Sequence, residues 1–101
     1  MSKEEVMIYN TVLSLVKKEG LYHYDSLRID LVERINPDSD RLYHLCNFSL
    51  EAMVNKHKLL DKEGGLVKLS SSGKLASKVG IRTFFNLRVI SNIIERIVKL
   101  I

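Results

Sequence analysis

Residues 59–69 read Leu-Leu-Asp-Lys-Glu-Gly-Gly-Leu-Val-Lys-Leu, and three serines and a glycine follow. The rest of the chain is dominated by helical spacing, so two short strand-like runs around a glycine pair stand apart. Leu59 and Leu60 open the first strand, Glu63-Gly64-Gly65 is the turn, and Leu66, Val67 and Leu69 form the return strand. The glycines can take the positive φ that a tight hairpin needs. A hairpin alone is at best marginally stable in water. This one must either pack on helices or stand out from them to touch another molecule.

The helices are read from their caps and apolar stripes. Ser2 and Glu5 form a capping box, after which Val6, Tyr9, Val12, Leu13 and Val16 recur until Gly20 supplies a stop. Leu-Tyr-His-Tyr, 21–24, is long enough only for a connector or one edge strand. Asp25 is expected to cap a second helix of about ten residues, buried through Leu27, Leu31, Val32 and Ile35. Pro37 ends it. A third helix, about 39–57, turns Leu42, Leu45, Cys46, Ser49, Leu50 and Met53 inward and His44, Asn47, Phe48, Glu51 and Asn55 outward, with Arg41 and Tyr43 on the flank. Ser70 or Ser71 caps a fourth helix, and Gly80 divides it from a last one. There Leu87, Ile90, Ile94, Ile97 and Ile101 are spaced 3, 4, 3, 4, a short coiled-coil seam.

Charge is divided unevenly. Residues 1–40 hold five Lys/Arg against eight Asp/Glu (net −3), and residues 41–101 hold eleven against four (net +7). Such a sign change points to a polyanion on one side of the molecule. Hydrophobic content of 46%, one proline and five glycines are those of a folding chain. The length fits one domain small enough to gain from a partner chain. The start Met-Ser-Lys-Glu-Glu-Val lacks the pattern of a signal peptide, and Arg82, Arg88, Glu95, Arg96 and Lys99 interrupt the apolar tail, so a soluble, cytoplasmic protein with no membrane span is expected. The single cysteine, Cys46, fits the same compartment.

The order helix, extended piece, helix, turn, helix, hairpin, helix, long helix resembles that of small winged-helix transcription regulators, including the MarR-like and PadR-like groups. Their wing typically ends in Leu-Thr-x-x-Gly; here Leu69-Ser70-Ser71-Ser72-Gly73-Lys74-Leu75 stands in its place. Leu-Glu-Ala-Met-Val-Asn-Lys-His-Lys-Leu-Leu-Asp-Lys, 50–62, looks like the segment leading into the wing, with His57 or Lys58 where those families use glycine. The resemblance implies an α+β, mainly α fold: a winged helix-turn-helix domain over 1–79 with a two-stranded wing, and a C-terminal dimerisation helix over 80–101.

It also implies a double-stranded DNA-binding regulator acting as a homodimer. The third helix would enter the major groove and the wing, about 59–70, would lie on flanking backbone or minor groove. Asn47 and Asn55 suit an adenine edge, Arg41 guanine or phosphate, and His44 either, while Glu51 can accept from a cytosine amino group. Ser39 and Tyr43 complete that surface. Lys62 and Lys68 would straddle a phosphate or enter the minor groove, and Lys74, with Lys78, would add backbone charge. Leu87, Ile90, Ile94, Ile97 and Ile101 would form the dimer interface, covering a stripe too large to leave in water. The alternative is a protein-interaction module in which the same helix meets a protein through Tyr43, Phe48 and Val54; a small-molecule effector is compatible with either.

No enzyme, cofactor or metal is expected. His44 and Cys46 are two apart on a helix and face different sides, which defeats chelation. Cys46 falls on the apolar face as core filler, the glycines do not form a phosphate loop, and the acids are scattered.

Overall fold

The capping box opens the first helix in a computed structural model, which describes residues 1–100. Ser2 Oγ accepts from the Glu5 N–H at 3.1 Å, and the Ser2 N–H donates to Glu5 Oε1 at 3.2 Å. The Ser2 N–H first, and the Ser2 hydroxyl next, hold the Glu5 carboxyl below its usual range. Helix α1 (Lys3–Glu19) keeps Glu4 and Glu5 in its first turn and Lys17 and Lys18 in its last, matching the helix dipole, and Gly20 ends it at φ 79°. Its stripe of Ile8, Tyr9, Val12, Leu13 and Val16 lies at the centre of the core.

Strand β1 (Tyr22–His23) leads directly into α2 (Tyr24–Ile35). Asp25 does not cap this helix: the N-cap residue is His23, without a side-chain bond, and the Tyr24 N–H instead donates to Gly65 O at 2.8 Å. The sheet thus satisfies the helix start, and Asp25 is left in the first turn, where its charge suits the dipole. Tyr22 OH donates to Asp30, joining β1 to α2; this bond first, and burial second, push the phenol pKa up to about 12. Asn36, left-handed at φ 51°, closes α2.

Ser39 Oγ accepts from the Leu42 N–H at 3.2 Å and starts α3 (Asp40–Asn55), which ends two residues before the expected His57. Lys58 then takes φ 55° and reverses the chain, doing the work of the missing glycine. Strands β2 (Leu60–Glu63) and β3 (Leu66–Leu69) follow. The turn is two residues, Gly64 and Gly65 at φ 58° and 83°, because Glu63 pairs with Leu66 as the last rung of the ladder. The sheet is antiparallel and three-stranded, in the order β1-β3-β2. Leu60, Val67 and Leu69 are buried, so the hairpin closes the core as well as extending from it.

Ser70 binds two elements together. Its hydroxyl accepts from the Gly73 N–H at 3.0 Å to cap α4 (Ser71–Val79) and donates to Lys58 O at 2.6 Å, while its N–H donates to Leu59 O at 3.0 Å. Gly80, at φ 87°, separates α4 from α5 (Ile81–Leu100). The first free N–H of α5, on Ile81, donates to Asn10 Oδ1 of α1 at 3.2 Å. Ile81 and Phe84 are buried, so the first turns of α5 belong to the core. Beyond Arg88 every described residue of α5 is exposed, and the helix projects from the body, lengthening the molecule to overall extents of 50 × 29 × 21 Å.

Candidate nucleic-acid interface and apolar tail

Helix α3 packs on α1, α2 and β2 through Cys46, Ser49, Leu50 and Met53, with Leu42 and Leu45 half-buried beside them. Its other face carries Tyr43, His44, Phe48, Glu51 and Asn55, all exposed. Phe48 is 68% exposed, a large apolar ring in open water. Burial raises the thiol pKa of Cys46 on the inner face.

Several side chains on this face already have partners. Arg41 makes a two-pronged contact with Glu4 of α1 at 2.9 and 3.0 Å, which holds the guanidinium at the α1–α3 corner. Asn47 folds back on its own helix: Nδ2 donates to Tyr43 O at 3.4 Å and Oδ1 is shielded without a partner. The rings of Tyr43 and His44 meet edge to face at 5.6 Å. Ser39 is engaged as the helix cap.

The hairpin register separates its two lysines. Lys62 stands opposite Val67, on the sheet face that also carries Leu60, whereas Lys68 stands opposite Asp61 on the other face. Straddling one phosphate with both is therefore corrected: they project from opposite sides of the ribbon. Lys62 lies 4.3 Å from the centroid of the Tyr24 ring. Tyr24 sits near Glu51, so Lys62 belongs to the α2–α3 side; burial first, and Glu51 next, raise the Tyr24 phenol pKa. Lys68 instead shares a cleft with Lys17, Lys74 and Lys78.

The positive half of the chain is likewise unevenly placed. Asp61 and Glu63 cancel Lys62 and Lys68 within the hairpin. Helices α4 and α5 hold Lys74, Lys78, Arg82, Arg88, Arg96 and Lys99 against Glu95 alone, a net of +5. Most of the excess cation therefore lies on the C-terminal helices.

On α5, Leu87, Ile90, Ile94 and Ile97 are each about half exposed, as are Val89, Ile93 and Val98. Ile101 lies outside the described residues. No helix among these residues is long and apolar enough to cross a membrane.

One cluster was not foreseen. His57 forms a triangle of rings with Tyr9 and Phe85, whose centroids lie 6.0 and 4.8 Å from it and 6.2 Å from each other, and its carbonyl accepts from Arg88 at 2.8 Å. Burial first, then Lys56 and Arg88, lower the imidazole pKa. Only the half-apolar neighbourhood of His57 hinted at this in the sequence.

No protein-family model matches this chain, and neither a curated protein nor a solved structure is found to be similar to it.

Proposed function

We propose that this chain is a winged helix-turn-helix module that binds double-stranded DNA as a homodimer, with α3 in the major groove, the β2–β3 hairpin beside the flanking backbone, and α5 joining the two copies. The observation that carries the reading is the outer face of α3. It bears His44, Glu51 and Asn55 in water, and the elements packed on this helix all lie on its other side. A major groove about 12 Å wide accepts one such helix, and imidazole, amide and carboxylate groups all pair with base edges. Asn47 joins them on leaving the Tyr43 carbonyl. A two-fold dimer would read a palindrome with half-sites about 34 Å apart.

The Arg41–Glu4 pair gives this reading a directed test. Both side chains are accessible, at 69% and 39%, so a phosphate or guanine can displace Glu4. Glu4→Gln releases Arg41 and removes a negative charge from the same corner, and the expected result is DNA affinity raised by about two- to tenfold in gel-shift titration. His44→Ala with Asn55→Ala is expected to erase preference among sequences selected from random DNA. Unchanged affinity in the first variant together with unchanged preference in the second overturns the reading.

A second reading has specific support. The hairpin is electrically neutral, and Phe48 with Tyr43 puts two exposed aromatic rings on α3, the composition of a protein-binding hot spot. Under it, α3 meets a protein partner in a larger assembly without touching DNA. Phe48→Ala would then abolish capture of that partner while weak, salt-sensitive DNA association through α4 and α5 persists.

A further inference from the structure

We propose that the cleft between the end of α1, the outer face of β3 and α4 binds a small polyphosphate anion, a ligand with two or more linked phosphoryl groups such as the phosphate chain of a nucleotide. No α3 residue lines it, so it lies apart from the proposed groove-reading face, although Lys68 and Asp61 belong to the hairpin placed above beside the DNA backbone. Lys17 enters from the last turn of α1, Lys68 from β3, and Lys74 and Lys78 from one face of α4, one turn apart. Asp61 is the only acid in the lining, leaving four cations against one anion, a net of +3.

Convergence of this kind works against the fold. Like charges at i, i+4 destabilise a helix, and a concave wall concentrates their field. Elsewhere signs are mixed: the hairpin is neutral, and Arg41 has Glu4. None of the four lysines forms an ion pair among the described residues, and Asp61, opposite Lys68, offsets only one of the four charges. Ammonium groups act as point charges without the fixed fork of a guanidinium, which suits phosphoryl oxygens presented in several orientations. Ser71 adds a hydroxyl to the same wall. The cleft, of about 550 Å³, lies within the range of small-ligand sites. A duplex presents its phosphates on a convex ridge, whereas lysines converging in a hollow surround a compact ligand.

Sodium tripolyphosphate is the probe, titrated calorimetrically into the full chain at fixed ionic strength. The expected result is one site per chain, with amide shifts in nuclear magnetic resonance spectra concentrated near Lys17, Lys68 and residues 71–78. Lys74→Gln with Lys78→Gln should weaken binding by about tenfold or more, while a control of equal charge, Lys56→Gln with Lys99→Gln, should change it by less than about threefold. Removing like charges leaves the fold intact, which circular dichroism checks on both variants. Equal losses in both variants would mean diffuse attraction and overturn the site. So would scattered amide shifts, or a heat signal that chloride reproduces at matched ionic strength. Displacement of tripolyphosphate by a short duplex, lost in the Lys74/Lys78 variant alone, would assign the lysines to nucleic-acid backbone and likewise overturn the small-anion reading.

Discussion

Gly73→Ala is the substitution for which local preference and tertiary packing give opposite signs. Gly73 lies inside α4 with ordinary helical geometry, so replacing it with the best helix former should by propensity alone gain about 1 kcal/mol. A Cβ there, however, would sit 2.0 Å from the Leu59 carbonyl oxygen and 3.1 Å from its carbon, with Leu69 Cβ at 3.5 Å. The obstacle is backbone, and it cannot rotate away. That carbonyl already accepts the Ser70 N–H at 3.0 Å, and the neighbouring Lys58 carbonyl accepts Ser70 Oγ at 2.6 Å. Restoring normal separation requires α4 to move by about 1 Å or more, which strains both bonds and opens the junction between α4 and the hairpin base. Overpacking costs about 1–3 kcal/mol, and two weakened, partly buried hydrogen bonds add about 0.5–1.5 kcal/mol each. After the propensity gain is subtracted, the expected loss is about 1–5 kcal/mol, from a total of about 5–15 kcal/mol for a domain of this kind. Urea unfolding followed by circular dichroism should show the midpoint falling by about 1–3 M with the slope unchanged. Ser71→Ala, two residues away and exposed, should stay within about 0.5 kcal/mol of the parent. A Gly73→Ala protein as resistant to urea as the parent would refute the reasoning, since it would mean that α4 is not held against the hairpin by close contact.

Three further outcomes are expected. Ile94→Glu places a charge at the centre of the α5 stripe, where Ile94 is 54% exposed; in the proposed homodimer, losing about 1.5–3 kcal/mol of apolar burial from each copy should weaken association about a hundredfold or more, and sedimentation equilibrium is expected to give dimers for the parent and monomers for the variant. Because burial lowers the His57 pKa from 6.5, the unfolded chain gains this proton before the folded one: above 6.5 neither state binds it, and stability falls as pH drops below 6.5 toward the lowered folded value, then levels off. His57→Phe should remove that decline, measured as the difference between the two proteins' urea midpoints across the window. Lys58→Gly relieves the left-handed backbone at φ 55° and should raise stability by about 0.5–1 kcal/mol, read as a higher thermal midpoint.

What was legible in the sequence was mostly local. Ser2, Gly20 and Gly80 act within a few residues of where they stand, and each marks the end of an element that the chain forms, whereas Ser39 and Ser70 are each one of several neighbouring side chains able to cap. The inward and outward faces of α3 also follow from spacing alone. The hairpin shows how small an error such reasoning tolerates. A three-residue Glu63-Gly64-Gly65 turn would place Lys62 opposite Leu66, on the same face as Lys68; the two-residue turn places Lys62 opposite Val67 and sends the lysines apart. One residue of turn length redistributes the charge of the whole ribbon. Contacts between distant positions left no periodic trace: Glu4 with Arg41, Asn10 with Ile81, and His57 with Phe85 and Arg88. The Tyr24 N–H displaced Asp25 from its expected capping role for the same reason, because its partner is the hairpin turn.

The direction of α5 links the tail to α3. At about 100° per residue, Ile81, Phe84, Phe85 and Arg88 fall on one side of the helix, and all four are buried or half-buried against the body. Leu87, Ile90, Ile94 and Ile97 fall on the opposite side, and Val89, Ile93 and Val98 widen that stripe to about half the circumference, broader than a two-helix seam. In the proposed homodimer the second copy therefore lies across α5 from the body, and covering so wide an arc takes more of that copy than its own α5. The start of α5 is held by the buried Ile81 and Phe84 and by several directed contacts: Asn10 with the Ile81 N–H, Phe85 with the Tyr9 and His57 rings, and Arg88 with the His57 carbonyl. Two of these contacts act on His57, two residues beyond the end of α3. A change that loosens His57, such as its protonation, would release the tail and the exit of α3 together. In the proposed homodimer the spacing between the two α3 helices would then depend on the same cluster from which the acid sensitivity of the fold is expected to come.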